Sequence, residues 1–228
     1  MEGQAQETLR WVNTPLVTAP QQDRSRRTLE RLLDATEEII RAAGLDAVTI
    51  PAVTRAARSS VGSFYARFPD KASLLETLHE RACEQSIATA TEALDPARWE
   101  GVPTADVLRS FVAFSVHLFS ARRPMMLAFT SEYSRDVRFA ERRARAAAIV
   151  GQKLQRLLAG RRDDLGHPNP ELAGDIALRL VTGALEQRNQ LDLAAMPEVR
   201  ISDEVLIAEL SRAVLAYLGV KPAVAQRA

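Results

Sequence analysis

From Thr28 to Leu218 apolar side chains return three and four residues apart in one segment after another, and no stretch alternates polar and apolar residues for long enough to make a half-buried strand. That periodicity restricts the chain to an all-α fold. The 37 alanines and 27 arginines, both strong helix formers, favour the same state, and aromatic residues make up only 5%. With 228 residues, 46% of them apolar, and 30 basic groups against 29 acidic ones, the chain is large enough to bury a substantial core and is not expected to be disordered throughout. Its one cysteine, Cys83, excludes an intramolecular disulfide framework and suits a reducing compartment. No apolar run approaches the length of a membrane span, and the opening MEGQAQETLR lacks the basic start and apolar stretch of a secretory signal. A cytoplasmic protein without a membrane partner is expected.

Residues 1–23, with Pro15 and Pro20, read as a flexible arm. From Thr28 the residues Leu29, Leu32, Leu33, Thr36, Ile39, Ile40 and Ala43 fall on one helical face, and Gly44 supplies the cap. Thr49 can cap a short helix over 50–57, with Pro51 in the first turn where a missing N–H costs least. Ser60 caps another short helix through Tyr65, and Asp70 caps a long one that turns Leu74, Leu75, Leu78 and Ala82 inward. Beyond a break near 95–103, helices are predicted over 105–120, 124–133, 138–159, 172–193 and 204–218, the last capped by Gly219. This makes about nine helices: an arm (1–23), a small module (24–71), a larger helical body (72–219) and a tail (220–228).

Charge is uneven although its sum is small. Residues 122–162 carry a net +8 and residues 163–228 a net −4. The arginines at 135, 138, 142, 145 and 156 lie around one long helix, which reads as a solvated face or as ion pairs with the acidic last third. Residues 51–71 carry a net +3 in a more telling setting. Two short helices separated by a three- or four-residue turn are the geometry of a helix-turn-helix, whose second helix enters the major groove while the first lies across the backbone. In TIPAVTRAARSSVGSFYARFPDK the second helix has small residues, Gly62 and Ser63, in its first turn, so its backbone can approach a duplex closely. Hydroxyls and free N–H groups at helix starts suit phosphate oxygens, and Arg67 and Lys71 extend the positive surface.

The run from AAGLDAVTIPAVTRAA through SSVGSFYARFPDKASLL resembles the TetR family of dimeric, ligand-responsive transcriptional repressors. The apolar-Gly-small-aromatic-Tyr order at 61–65, Phe68, Lys71 and the pair Leu74 and Leu75 carry the likeness, over about 50 residues. The resemblance implies that Thr49, Ser60, Ser63, Tyr65 and Lys71 contact DNA, mainly its phosphates, with Val61, Gly62 and Arg67 near base edges. The sequence departs from the family pattern at Arg58, where the turn usually has glycine, at Ser59, where an apolar residue is common, and at Thr54, where alanine is usual. If the turn requires positive φ, arginine costs about 1 kcal/mol relative to glycine. Arg58 then either reaches a phosphate or is a tolerated surface substitution.

The resemblance further implies a homodimer on a palindromic double-stranded operator, released by a small apolar or amphipathic effector. A transcriptional activator of the same fold, or a helical adaptor that binds no DNA, is the alternative reading. Phe111, Phe114, His117, Met125, Phe129 and Tyr133 gather much of the chain's aromatic and flexible apolar bulk, which is either plain core or the wall of an effector site with His117, Tyr133 or Glu186 as polar fixtures. On the last two helices Leu172, Ile176, Leu180 and Ala184 form one stripe, and Ala173, Ala177, Val181 and Leu185 its neighbour. Leu206, Leu210, Val214 and Tyr217 face them, closing the monomer's core or a four-helix dimer interface. His79 and Cys83 have the spacing of a two-point metal clip, but two ligands do not make a site. Glu76, Glu80 and Glu84 lack an accompanying histidine motif and read as a solvated ladder. No nucleophile elbow, P-loop or dinucleotide fingerprint occurs, so neither enzymatic activity nor a cofactor or metal is expected.

Overall fold

The computed structural model describes residues 23–133, 136–193 and 201–220. The arm and tail read from the sequence lie outside them, apart from Asp23 and Val220. The described residues are all-α, with eight α-helices: α1 Asp23–Ala43, α2 Ile50–Ala56, α3 Val61–Tyr65, α4 Lys71–Ala93, α5 Thr104–Tyr133, α6 Val137–Ala159, α7 Pro170–Leu193 and α8 Asp203–Leu218. The count corrects the expected nine, because the two helices predicted over 105–120 and 124–133 are one. A proline inside a helix loses a hydrogen bond and crowds the carbonyl four residues back, at about 3 kcal/mol. Here α5 runs through Pro124. Burial on either side holds it: Val112 and Val116 are fully buried before the proline, and Ala128 and Phe129 are buried after it.

The helices make two compact units. Of the described residues, the first contains 23–86, 124–133 and 136–144. Leu29, Leu32 and Leu33 of α1, Phe64 of α3, Phe68, and Leu74, Leu75 and Leu78 of α4 are its core, each at most 1% exposed. Each such side chain contributes about 1.5–3 kcal/mol on burial. The second unit takes the described residues 87–123, 145–193 and 201–220. Val107, Leu108, Val112, Leu154, Leu158, Ala173, Ala177, Val181 and Val214 form the centre of its core. Its α8 ends at Gly219, in the left-handed region at φ 64, as the sequence predicts. Glycine is needed there twice over, since a Cβ at 219 would also stand 2.9 Å from the Cα of Gly166.

Two charge readings change. Glu76 and Glu80 are not a solvated ladder, since Glu76 is buried and bonds Arg138 of α6 at 2.7 Å, and Glu80 lies 3.6 Å from Arg142. Those two arginines therefore pair with α4 and not with the acidic last third. On α4 the carboxylates are four residues apart, and on α6 the guanidinium groups are four apart, so the two helices match turn for turn.

Candidate nucleic-acid interface

Local chemistry fixes the ends of the two short helices. Thr49 is extended and its Oγ1 accepts the N–H of Ala52 at 3.2 Å, with Pro51 in the first turn. Thr54, fully turned inward, donates its hydroxyl to the Ile50 carbonyl at 2.9 Å. The helix stops at a left-handed residue, Arg58, at φ 48. The N–H of Arg58 bonds the Arg55 carbonyl and that of Ser59 reaches back to the Thr54 carbonyl at 2.8 Å, the two closures of a Schellman cap. Arginine thus occupies the position glycine fits best. Replacing Arg58 by glycine is expected to raise stability by about 1 kcal/mol, read as a higher urea midpoint; an unchanged or lower midpoint would show that the turn stores no strain.

Ser60 then opens α3, its Oγ accepting the N–H of Ser63 at 3.0 Å while donating to the Ser63 hydroxyl at 2.9 Å. The helix has one inward side chain, Phe64, fully buried and set against Phe68 with ring centres 5.4 Å apart. Its other face is open. Val61 is 47% exposed and Tyr65 55%, and Gly62 is exposed between them. A Cβ at Gly62 would meet nothing nearer than the Ser60 hydroxyl at 3.9 Å, so packing within the chain gives no reason for glycine there. The Tyr65 ring meets Phe64 edge-on at 5.4 Å and keeps more than half of its surface outside.

Arg55 and Arg58 are exposed beside this face and Lys71 is half-buried at the start of α4. The Asp70 carboxylate caps α4 through the Ser73 N–H at 2.7 Å and the Ser73 hydroxyl at 2.8 Å, and that backbone bond first of all holds its pKa below the ordinary range.

Arg67 differs from the others. Its Nε and one terminal nitrogen donate to the Ser25 carbonyl, both at 3.2 Å, the same terminal nitrogen donates to the Ser25 hydroxyl at 2.8 Å, and the other donates to the Ser63 carbonyl at 2.7 Å. Burial, and then Arg31, lower its pKa. The side chain ties the end of α3 to the start of α1. Ser25, its partner, carries no signal in the sequence, because the pair is 42 residues apart.

The remaining predicted positions are divided between the two units. Met125, Phe129 and Tyr133 pack in the first core; Phe111 is buried in the second, where Phe114 is half-buried and His117 and Glu186 are exposed. On α7, Ala177 and Val181 are fully buried in the monomer, as is Val214 on α8, and Leu206 is 9% exposed. Leu172 and Leu180 face outward at 51% and 42%, with Ile176, Ala184, Leu210 and Tyr217 intermediate. Among the described residues no group of three or more His, Cys, Asp or Glu is placed to hold a metal ion, and no helix is long and apolar enough to cross a membrane.

Two capped helices around a tight turn, the second exposing a small, hydroxyl-rich face, define a helix-turn-helix regulator fold. Residues 32–78 match the family model described as bacterial regulatory proteins, tetR family, so this segment is a domain of that family. No curated protein sequence matches the chain. Among solved structures, a TetR transcription regulator from Haloarcula marismortui is 15% identical, covers 85% of this chain and 97% of its own, and has a TM-score of 0.65. NalD of Pseudomonas aeruginosa, described as the secondary repressor of the MexAB-OprM multidrug efflux pump, is 20% identical over 89% of this chain and 100% of its own, with a TM-score of 0.61. The flavonoid-responsive regulator FrrA is 21% identical over 87% and 100%, with a TM-score of 0.59. At these identities the likeness is one of fold.

Proposed function

We propose that the protein is a sequence-specific double-stranded DNA-binding repressor that works as a homodimer and leaves a palindromic operator when a small apolar or amphipathic molecule binds. The observation that carries this reading is the open face of α3, where Val61, Gly62 and Tyr65 are exposed around one buried anchor, Phe64. In this reading Thr49, Ser60, Ser63, Tyr65 and Lys71 hold phosphates, Arg58 adds a cation beside them, and Val61 and Gly62 approach base edges. Arg67 acts by fixing the angle of α3 through Ser25, so Arg67→Ala weakens all operator variants alike. Outward Leu172 and Leu180 support dimerisation through α7, joined by Val205 of α8, which is 52% exposed. The printed descriptions of NalD and FrrA, a repressor and a flavonoid-responsive regulator, are in keeping with repression and with a largely apolar effector.

The test separates phosphate holding from base reading. Lys71→Ala is expected to weaken specific and nonspecific duplexes by similar factors and to lower the slope of log K against log salt by about 0.9, one phosphate contact. Fluorescence anisotropy across a salt series measures both. An unchanged slope would remove Lys71 from the interface, and binding to no duplex at all would favour the adaptor reading.

A further inference from the structure

We propose that Arg142 anchors the carboxylate of an aromatic monocarboxylic acid inside the first unit, among α4, α5 and α6. This rests on the reading that the protein answers to a small molecule, and it names the chemical class.

The side chain of Arg142 is nine-tenths buried. Its Nε donates to Nδ1 of His79 at 3.3 Å and lies 3.6 Å from a Glu80 oxygen, beyond a good hydrogen bond. One terminal nitrogen has neither solvent nor any hydrogen-bond partner among the described residues. A buried donor on a charged group left in that state is costly, and such groups are normally matched. His79 adds no second positive charge: burial foremost, then Arg142 and Arg143, push its pKa down to about 4, so it stays neutral near pH 7. An incoming carboxylate competes with Glu80, which lies 3.6 Å from Nε but makes no hydrogen bond to the unmatched terminal nitrogen.

What surrounds the cation selects the rest of the ligand. The guanidinium carbon stands 4.7 Å over the Phe139 ring, Phe139 stacks on Tyr133 at 4.2 Å, and Phe129 lies 5.5 Å from Phe139. An aromatic ring packs favourably against such faces, and the two N–H bonds of the unmatched nitrogen match a carboxylate, whereas a phosphate dianion needs more donors. Met125, unbranched and partly buried against the same core, is the side chain best able to yield space.

The full-length protein is titrated calorimetrically with benzoate, phenylacetate and cinnamate, each beside its uncharged primary amide. At least one acid is expected to bind about tenfold or more tightly than its amide, the range of a charge-assisted hydrogen bond, and Arg142→Gln removes that preference. Glu80→Gln, which withdraws the competing carboxylate, is expected to tighten acid binding several-fold, a change in the direction that misfolding cannot produce. No acid binding at millimolar concentration, equal binding of acid and amide, or indifference of acid binding to either substitution overturns the proposal. Operator affinity keeps the two readings apart. Acid that binds through Arg142 without weakening operator binding leaves this site standing and removes induced release. An uncharged molecule that releases operator equally well from the Arg142→Gln protein supports release and rejects Arg142 as its anchor.

Discussion

Gly62→Ala is expected to melt no lower than the parent and to bind operator about 5- to 150-fold more weakly. The first half follows from the chain itself. Alanine is favoured over glycine inside a helix by about 1 kcal/mol, and the new methyl would find no atom of the protein closer than 3.9 Å. The second half follows only if something packs against α3 from outside. Forcing a methyl group into a close-packed contact costs about 1–3 kcal/mol, which converts to that range of affinity. The two effects have opposite signs, so a general loss of structure cannot imitate the result. Equal operator affinity in the two proteins would place the closest approach of DNA elsewhere on the helix.

The protein is expected to lose about 2 kcal/mol of stability between pH 7 and pH 5 through His79 alone. Its ring is 6% exposed, lies 4.4 Å from Phe139 and 5.1 Å from Phe129, and accepts a hydrogen bond from Arg142. Burial first, then the two arginines, lower its pKa from 6.5 to about 4. Between those values the unfolded chain binds the proton and the folded chain does not, so stability rises with pH across this window. The contribution is fully present above 6.5, falls as pH drops, and levels off below about 4, where both states are protonated. Urea midpoints of the parent and His79→Gln at pH 7 and pH 5 measure it. The parent's midpoint drops and the variant's drops much less; the same drop in both would assign the acid sensitivity to other groups.

The parts of the fold set by short-range chemistry were legible in the sequence. Thr49, Ser60, Asp70 and Gly219 cap helices where their side chains or backbone freedom predicted, because each cap is decided within three or four residues. Arg58 was readable as the position where the turn departs from glycine, and its φ of 48 shows that the turn does need the left-handed region. Pro124 misled for the converse reason: its local penalty is real, but the burial that outweighs it is tertiary. Arg67, which the resemblance places near base edges, gave no sign of its tie to α1, since nothing within a few residues reveals that its acceptors belong to Ser25. The α4–α6 ion pairs did leave a trace. Carboxylates at 76 and 80 and guanidinium groups at 138 and 142 share a four-residue spacing, and matching those intervals between helices would have paired them. The unmatched nitrogen of Arg142 left none, because it depends on what its neighbours fail to offer.

The central claim is that the open face of α3 reads a particular duplex sequence. Selection of bound DNA from a random duplex library, with purified full-length protein freed of small molecules, tests it most directly. The account predicts enrichment of an inverted repeat whose half-sites are related by about one helical turn, bound by two protomers, with base preferences that shift in Val61→Ala and persist in Lys71→Ala. Failure to enrich any sequence, or enrichment unaffected by changes on α3, would contradict it.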